Sequence, residues 1–179
     1  RKFFNLRRCL LDVQVGVGGE VAKLTGGAPL HLLNTHLSAF SGGDGTLEKQ
    51  VGVLLERTAA LDGSKQPWLL AGDFNSLPPV LAGMPKDAYT KHLQQEEAAL
   101  YPDIAKAPLA PLYSSRNPVV TAAQHAADPQ RYWTYKPYVE PAPDRAIDHA
   151  FTSSNLVATA VHVELPPNGK YLSDHQPLV

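Results

Sequence analysis

The stretch Trp68-Leu69-Leu70-Ala71-Gly72-Asp73-Phe74-Asn75-Ser76-Leu77-Pro78-Pro79 decides how the rest of the chain is read. Its first four residues are apolar and form a short buried strand. Gly72 lets the backbone turn, and Asp73 and Asn75 emerge at the strand's carboxyl end, where open α/β sheets place their ligands. Lying two positions apart, they point to the same side of an extended segment. A carboxylate beside a neutral amide suits a site that handles a metal or activates water next to a phosphate. Leu77-Pro78-Pro79 closes the loop rigidly, because each proline fixes its own φ and restrains the residue before it.

Upstream, Leu10 to Val17 alternates apolar with other residues at period two, the pattern of a half-buried strand. Gly18-Gly19 supplies a hairpin turn, with Glu20 to Leu24 as the expected partner strand. Pro29 to Leu37 is a second strand that ends in the polar groups of Asn34, Thr35 and His36. Past the glycine-rich loop Ser41 to Gly45, Leu47, Val51, Leu54, Leu55 and Leu61 recur at helical spacing, with charged residues elsewhere on the wheel. Thr46 is the expected N-cap and Gly63 the expected stop. Strand, helix and strand then make a β-α-β unit with adjacent or nearly adjacent parallel strands. The unit brings His36 and Asp73 to one edge.

Downstream, prolines interrupt residues 80 to 132, giving loops and short helices, with a helix expected over His92 to Leu100 and another from Asn117-Pro118 through Gln124. Tyr132 to Lys136 reads as a strand or loop wall. Ala146 to Phe151 and Leu156 to Leu165 read as strands, followed by a turn at Pro166-Pro167-Asn168-Gly169. Tyr171-Leu172-Ser173-Asp174-His175 again sets polar groups beside a strand.

At 179 residues, with 44% hydrophobic content, the chain is long enough for one domain with a real core. Sixteen basic residues face seventeen acidic ones, so there is none of the basic excess expected of a protein that grips nucleic acid mainly through phosphates. A nucleic-acid partner is therefore not favoured by charge, although a local basic groove is compatible with it. Cys9 is the only cysteine, which excludes an internal disulfide and gives no compartment. No apolar run approaches the ~20 residues of a membrane helix. The chain opens at Arg1-Lys2-Phe3-Phe4, without an initiator methionine, and stops at Gln176-Pro177-Leu178-Val179 where another strand is beginning. It reads as a domain cut at both ends.

Four segments set acid, amide or imidazole groups at strand ends: His36, Asp73 with Asn75, Asp148, and Asp174 with His175. Alone, each has an ordinary explanation. A single histidine on a strand is usually a satisfied surface or core group, as read for His31, His92, His125 and His162. Aspartate beside glycine or serine is usually turn chemistry, as for Asp44. Asp148, inside an apolar strand, is harder to dismiss, because a buried carboxylate without a partner is costly. A histidine is its natural partner.

Together and in this order, Asn34-Thr35-His36-Leu37, Gly72-Asp73-Phe74-Asn75, Asp144-Arg145-Ala146-Ile147-Asp148-His149 and Ser173-Asp174-His175 resemble the endonuclease/exonuclease/phosphatase superfamily, with its deoxyribonuclease I-like fold. The resemblance runs from about residue 8 to 179, except for residues 80 to 130. It implies an α/β (α+β) fold, a four-layer α/β/β/α sandwich, of which residues 1 to 179 are the second half of a single truncated domain. It also implies divalent-metal-dependent hydrolysis of phosphate esters with Mg²⁺ or Mn²⁺. Carried over by position, His36 donates to a phosphate oxygen. Asp73 and Asn75 orient water and phosphate and hold a second metal in some members. Asp174 binds metal, and His175 touches phosphate or acts as base, held in its tautomer by Asp148. Whether Asp73 or His175 takes the proton from water stays open.

Two departures bear on this. The family's first half supplies an asparagine and a metal-binding glutamate without counterparts here, and Glu20, beside a turn, does not match. The isolated chain is therefore expected to have little or no activity. His149 stands where the family often has an aromatic, and strand alternation turns it away from Asp148, so it reads as structural. Balanced charge favours a lipid or small phosphodiester, with Tyr132, Trp133, Tyr135 and Tyr138 as an apolar wall or simply as core. A nuclease of the same superfamily is the alternative, and a non-catalytic binding domain a second. A Ca²⁺ module is disfavoured, because its oxygen ligands would cluster in one loop.

Overall fold

A computed structural model describes residues 8–39, 44–79, 107–138 and 142–179. The expected helix over His92 to Leu100 and most of the glycine loop after Ser38 lie outside the described residues. The elements are β1 (Leu10–Val15), α1 (Gly19–Leu24), β2 (Leu30–His36), α2 (Thr46–Gly63), β3 (Trp68–Asp73), α3 (Ala110–Ser115), β4 (Asn117–Pro118), α4 (Ala122–Ala127) and β5 (Asp148–Thr152). The five strands form one sheet in the order β1-β2-β3-β5-β4.

The β-α-β reading holds. β2 and β3 are adjacent and parallel, with Leu33 level with Leu70 and His36 level with Asp73. β5 runs antiparallel along the other side of β3, and β1 antiparallel along β2. α2 lies over one face, where its Leu47, Val51, Leu54 and Leu61 meet Leu33, Trp68, Leu70 and Phe151 in a single apolar cluster. Fully burying a leucine there stabilises by ~1.5–3 kcal/mol. Trp68 also donates from Nε1 to Asp62 at the end of α2. Under α2, Asp12 accepts from His31 Nδ1 at 2.8 Å and from Arg57, tying β1, β2 and the helix together. His31 is thus structural, as read.

The opposite face carries Leu11, Val13 and Leu32, which are 56%, 42% and 38% exposed. Val13 lies directly across from Leu32, so these side chains form a continuous apolar strip. Strand alternation puts His36, Asp73 and Asp148 on this same face.

Local readings fail where tertiary pairing or capping decides. Residues 19–24 form helix α1 rather than a hairpin strand, and β1 spends its hydrogen bonds on β2 instead. Glu20 pairs with Lys23 one turn along this helix. Gly45, at φ +79°, precedes α2, and Thr46 is its first residue, with Thr46 N–H donating to Asp44. Gly63 closes the helix and Ser64 caps it. Asn117-Pro118 pairs with β5 as a strand. The helix beyond it starts only after Thr121, whose hydroxyl and Gln124 make a reciprocal cap. Leu156 to Leu165 forms no strand. It contributes one bridge, Val163 to Leu178, flanked by hydrogen bonds between His162 and Val179. The turn at Pro166 to Gly169 is present. Among the described residues no helix is long and apolar enough to cross a membrane.

Candidate active site

Backbone register does the first part of the assembly. His36 is level with Asp73 across the parallel pair, and Asp73 with Asp148 across the antiparallel one, so three strands set three chemical groups in one row. Gly72 makes this row possible. Its φ is +153°, and a Cβ there would lie 1.9 Å from the Thr35 carbonyl oxygen on the neighbouring strand. Only glycine allows that approach.

After Asp73 the chain turns on Asn75, which sits in the left-handed region at φ 47°. Asparagine tolerates it because a short polar side chain can bond locally. Asn75 N–H donates to Asp73 Oδ1 at 2.8 Å, and Asn75 Nδ2 donates to the Leu37 carbonyl at 3.0 Å and to Asp73 Oδ2 at 3.2 Å. With both donors occupied, the Asn75 amide oxygen is left to accept. Phe74 N–H donates to Ile147 O at 2.8 Å, anchoring the same turn to β5.

His175 arrives from the far end of the chain. Its segment is fastened by Gln176 N–H to the Thr134 carbonyl at 2.6 Å, and Tyr135 bridges to both Arg145 and His175. Thr134, fully buried, also accepts from the Asp148 amide through its hydroxyl at 3.2 Å. Nδ1–H of His175 donates to Asp148 Oδ2 at 2.8 Å, which turns Nε2 toward Asp73 Oδ2, 3.7 Å away. His36 Nε2 approaches the same Asp73 oxygen at 3.3 Å from the other side. His36, Asp73, Asn75, Asp148 and His175 therefore lie together. Asp174 is exposed one residue before His175, its main-chain carbonyl accepts from Lys136 N–H, and its carboxylate lies near enough to act on His175 by charge.

Electrostatics follow from crowding. Burial raises the Asp73 carboxyl above the ordinary carboxylate range and the neighbouring Asp148 adds to it, against the Asn75 amide and the two histidines. For His175 burial acts downward, but the hydrogen bond and charge of Asp148, with Asp73 and Asp174, outweigh it and raise the pKa. Both groups thus hold protons more tightly than usual, Asp73 because burial and Asp148 outweigh the histidines, and His175 because the carboxylates outweigh burial.

Behind this row, on the α2 side of the sheet, lies a second set of rings. His149 is buried. Its Nε2–H donates to the Ser76 carbonyl at 2.9 Å, and its Nδ1 accepts from the Tyr113 hydroxyl at 3.1 Å. Burial pushes its pKa down to about 4. His125 packs edge-on against Tyr132 and Tyr113, with no hydrogen-bond partner on either nitrogen. The four aromatics expected as one wall separate. Tyr132 belongs to the core, Tyr138 is 98% exposed, and Tyr135 stands edge-on to His175 at 5.1 Å, with the Arg145 guanidinium 5.3 Å from its ring centre. Thr134 and the Leu37 carbonyl were not anticipated from sequence. The first is one threonine among many and the second is main chain, so neither leaves a pattern. His149 was legible in part, as a polar residue on the core-facing side of a strand.

Among the described residues no three histidine, cysteine, aspartate or glutamate side chains converge as metal ligands. The donors present, the Asp73 carboxylate and the Asn75 amide oxygen, are nevertheless of the hard oxygen type. Mg²⁺ commonly takes one or two carboxylates and completes its shell with water and phosphate, so the residues fit a partial site.

The chain's fold matches solved structures of modest sequence similarity. It aligns with truncated Caenorhabditis elegans TDP2 at TM-score 0.58 and 13% identity, covering 99% of this chain and 60% of that one. It aligns with D. rerio TDP2, in complex with a single-strand DNA product, at TM-score 0.55 and 19% identity, covering 98% and 62% respectively. The chain thus spans less than two thirds of either structure. No curated protein matches the sequence. Residues 14–175, which include every site residue named above, match the Endonuclease/Exonuclease/phosphatase family, whose members hydrolyse phosphoesters and generally use divalent metals, and the chain belongs to that family.

Proposed function

We propose that this protein is a divalent-metal-dependent hydrolase of phosphate esters, with His36, Asp73, Asn75, Asp148 and His175 as its reacting and binding groups. The observation that carries the reading is the Asp148–His175–Asp73 arrangement, with one imidazole nitrogen bonded at 2.8 Å and the other 3.7 Å from a second carboxylate. Asp148 fixes the tautomer, so Nε2 is the nitrogen available to a reacting atom. A gap of 3.7 Å exceeds a hydrogen bond and suits a shared water. A water held there gives its proton to the coupled Asp73–His175 pair, which titrates as one unit. His36 flanks that position and donates to a phosphate oxygen, while the Asn75 amide oxygen accepts from the attacking water. Water attacks an anionic phosphoryl group slowly, so neutralising its oxygens and aligning the nucleophile are the main tasks. Mg²⁺ or Mn²⁺, held by Asp73, Asn75 and Asp174, would stabilise charge on the phosphate and leaving oxygen.

The substrate class we favour is a lipid or small phosphodiester. Charge balance supports it, as does the engagement of Arg145 with Asp144 at 2.7 Å, which leaves this cation partly neutralised beside the site. We also propose that residues 1–179 are part of a single larger domain, in which a second sheet covers the apolar face of Leu11, Val13 and Leu32. The exposure of that strip and the 60–62% coverage of the matched structures support this. The test is a hydrolysis panel on the full-length protein with Mg²⁺ and EDTA arms: sphingomyelin, inositol phosphates, plasmid and abasic DNA, and bis-p-nitrophenyl phosphate. Metal-dependent turnover of a phosphate ester is expected, and turnover of DNA alone would move the reading to a nuclease. Turnover of none would end it. Hydrolysis by residues 1–179 alone at full-length rates would contradict the larger domain.

A further inference from the structure

Asp148 and His149 are consecutive on β5 and face opposite sides of the sheet. Asp148 serves the site directly, through His175. His149 faces the interior, yet its hydrogen bond reaches the carbonyl of Ser76, the residue after Asn75, at 2.9 Å. A carbonyl can only accept, so Nε2 carries the proton. Nδ1 then accepts from Tyr113. The ring is neutral, buried, and wedged edge-on between Phe74 at 5.6 Å and Tyr113 at 5.9 Å between ring centres. Phe74 and Ser76 bracket Asn75, so this one ring touches both neighbours of the residue in the left-handed conformation.

That conformation needs holding. A non-glycine residue at positive φ persists only where its surroundings over-determine it. From above, Asn75 is held by Leu37 O and Asp73; from β5, by Phe74 N–H to Ile147 O. The His149 contact fastens the turn's far end from beneath.

We propose that His149 is a positioning residue: through its Nε2–H bond to Ser76 O it locks the Asp73–Asn75 turn, and so sets where the Asn75 amide oxygen meets the attacking water. The role of Asn75 rests on the reading in the preceding subsection, whereas the lock does not. β5 thereby supports both halves of the site from adjacent residues, Asp148 orienting His175 and His149 orienting Asn75. Tyr113 supports the ring at Nδ1, the nitrogen not bonded to the turn, and is expected to matter less.

The test uses ¹⁵N-labelled protein and three variants, His149→Phe, His149→Gln and Tyr113→Phe. Glutamine can present an amide N–H near the place of Nε2, whereas phenylalanine keeps the ring shape without a donor. In wild type, imidazole ¹⁵N shifts should report the neutral Nε2–H form of His149, and the Asn75 side-chain amide should exchange slowly. His149→Phe should speed Asn75 amide exchange at least tenfold while His175 keeps its Asp148-bonded signature. His149→Gln should restore slow exchange, and Tyr113→Phe should leave it within about threefold of wild type. Where the protein turns over substrate, His149→Phe should lower kcat up to ~10²-fold, the cost of a misplaced group, with less change in KM. If His149→Phe does not fold, a His149→Gln variant with the wild-type Asn75 signature supports the lock, and one with fast exchange overturns it. An Nδ1–H tautomer in wild type, or unchanged Asn75 exchange in a folded His149→Phe, also overturns it. Absence of turnover in all proteins, with the Asn75 results as expected, would refute the hydrolase reading and leave the lock standing.

Discussion

Replacing His125 by phenylalanine should make the protein more resistant to acid. His125 is 2% exposed, and neither ring nitrogen has a hydrogen-bond partner. Burial first, and then the charge of nearby His149, lower its pKa from 6.5 to about 3. The folded state therefore takes up this proton less readily than the unfolded chain. Between pH 6.5 and 3 the unfolded state binds more protons, so stability falls as pH drops through that window and is fully present above it. One pH unit is worth about 1.4 kcal/mol per proton, so at pH 5 His125 costs on the order of 2 kcal/mol, rising to about 5 at the acid end. Phenylalanine keeps the aromatic packing against Tyr113 and Tyr132 and removes the titration. Its effect on packing can take either sign, but that part is common to all pH values. The quantity to measure is thus a difference: urea unfolding followed by circular dichroism, wild type against His125→Phe, at pH 7.5 and pH 5. The variant should be favoured at pH 5 by ~2 kcal/mol more than at pH 7.5, or roughly 4–8 °C in melting temperature. A shift below about 0.5 kcal/mol would mean that His125 protonates freely in the folded protein, and that the buried ring cluster is wrong.

Three further outcomes follow from the geometry. Gly72→Ala places a methyl group 1.9 Å from Thr35 O, so it should cost at least ~2 kcal/mol and disturb the row of site residues; a neutral effect in urea unfolding would show that β2 and β3 do not pair closely there. Leu54→Ala empties a site that is 2% exposed between helix and sheet and should cost ~2–5 kcal/mol in the same assay; a loss under 1 kcal/mol would argue against the α2 contact. Asp148→Asn removes the main influence raising the His175 pKa, so the imidazole should titrate at lower pH by nuclear magnetic resonance. A raised folded pKa means His175 contributes stability below about pH 6.5 that fades as pH rises through that pKa, and the asparagine variant should lose that contribution. An unmoved titration would sever the pair.

The parts of this fold legible in the sequence are those governed by local periodicity. α2 could be read because its apolar residues repeat at helical spacing over eighteen residues, and a helix joining two apolar strands forces the parallel β2–β3 pair. His36 and Asp73 meet because of that unit. The Asp148–His175 pairing was legible for a different reason: a carboxylate in an apolar strand needs a partner, and the resemblance supplied one. What escaped was decided at a distance. Residues 19–24 look as strand-like as helical, and only the prior claim of β2 on β1 settles them. Residues 156–165 have strand composition, but among the described residues their one ladder-like pairing is with the last few residues of the chain. Thr134 joins the Asp148 and His175 segments through one hydroxyl and one carbonyl, an arrangement with no spacing to detect. His149 was read correctly as facing away from Asp148, but which carbonyl it meets depends on how the Asn75 turn folds back.

The most direct test of the central claim is the rate of Mg²⁺-dependent phosphodiester hydrolysis by full-length protein carrying Asp73→Ala or His175→Ala, beside wild type. If the two groups act together on one phosphoryl centre, each variant should lose at least ~10²-fold in kcat/KM, or about 3 kcal/mol of transition-state stabilisation. A folded variant of either kind that turns over at the wild-type rate would contradict it.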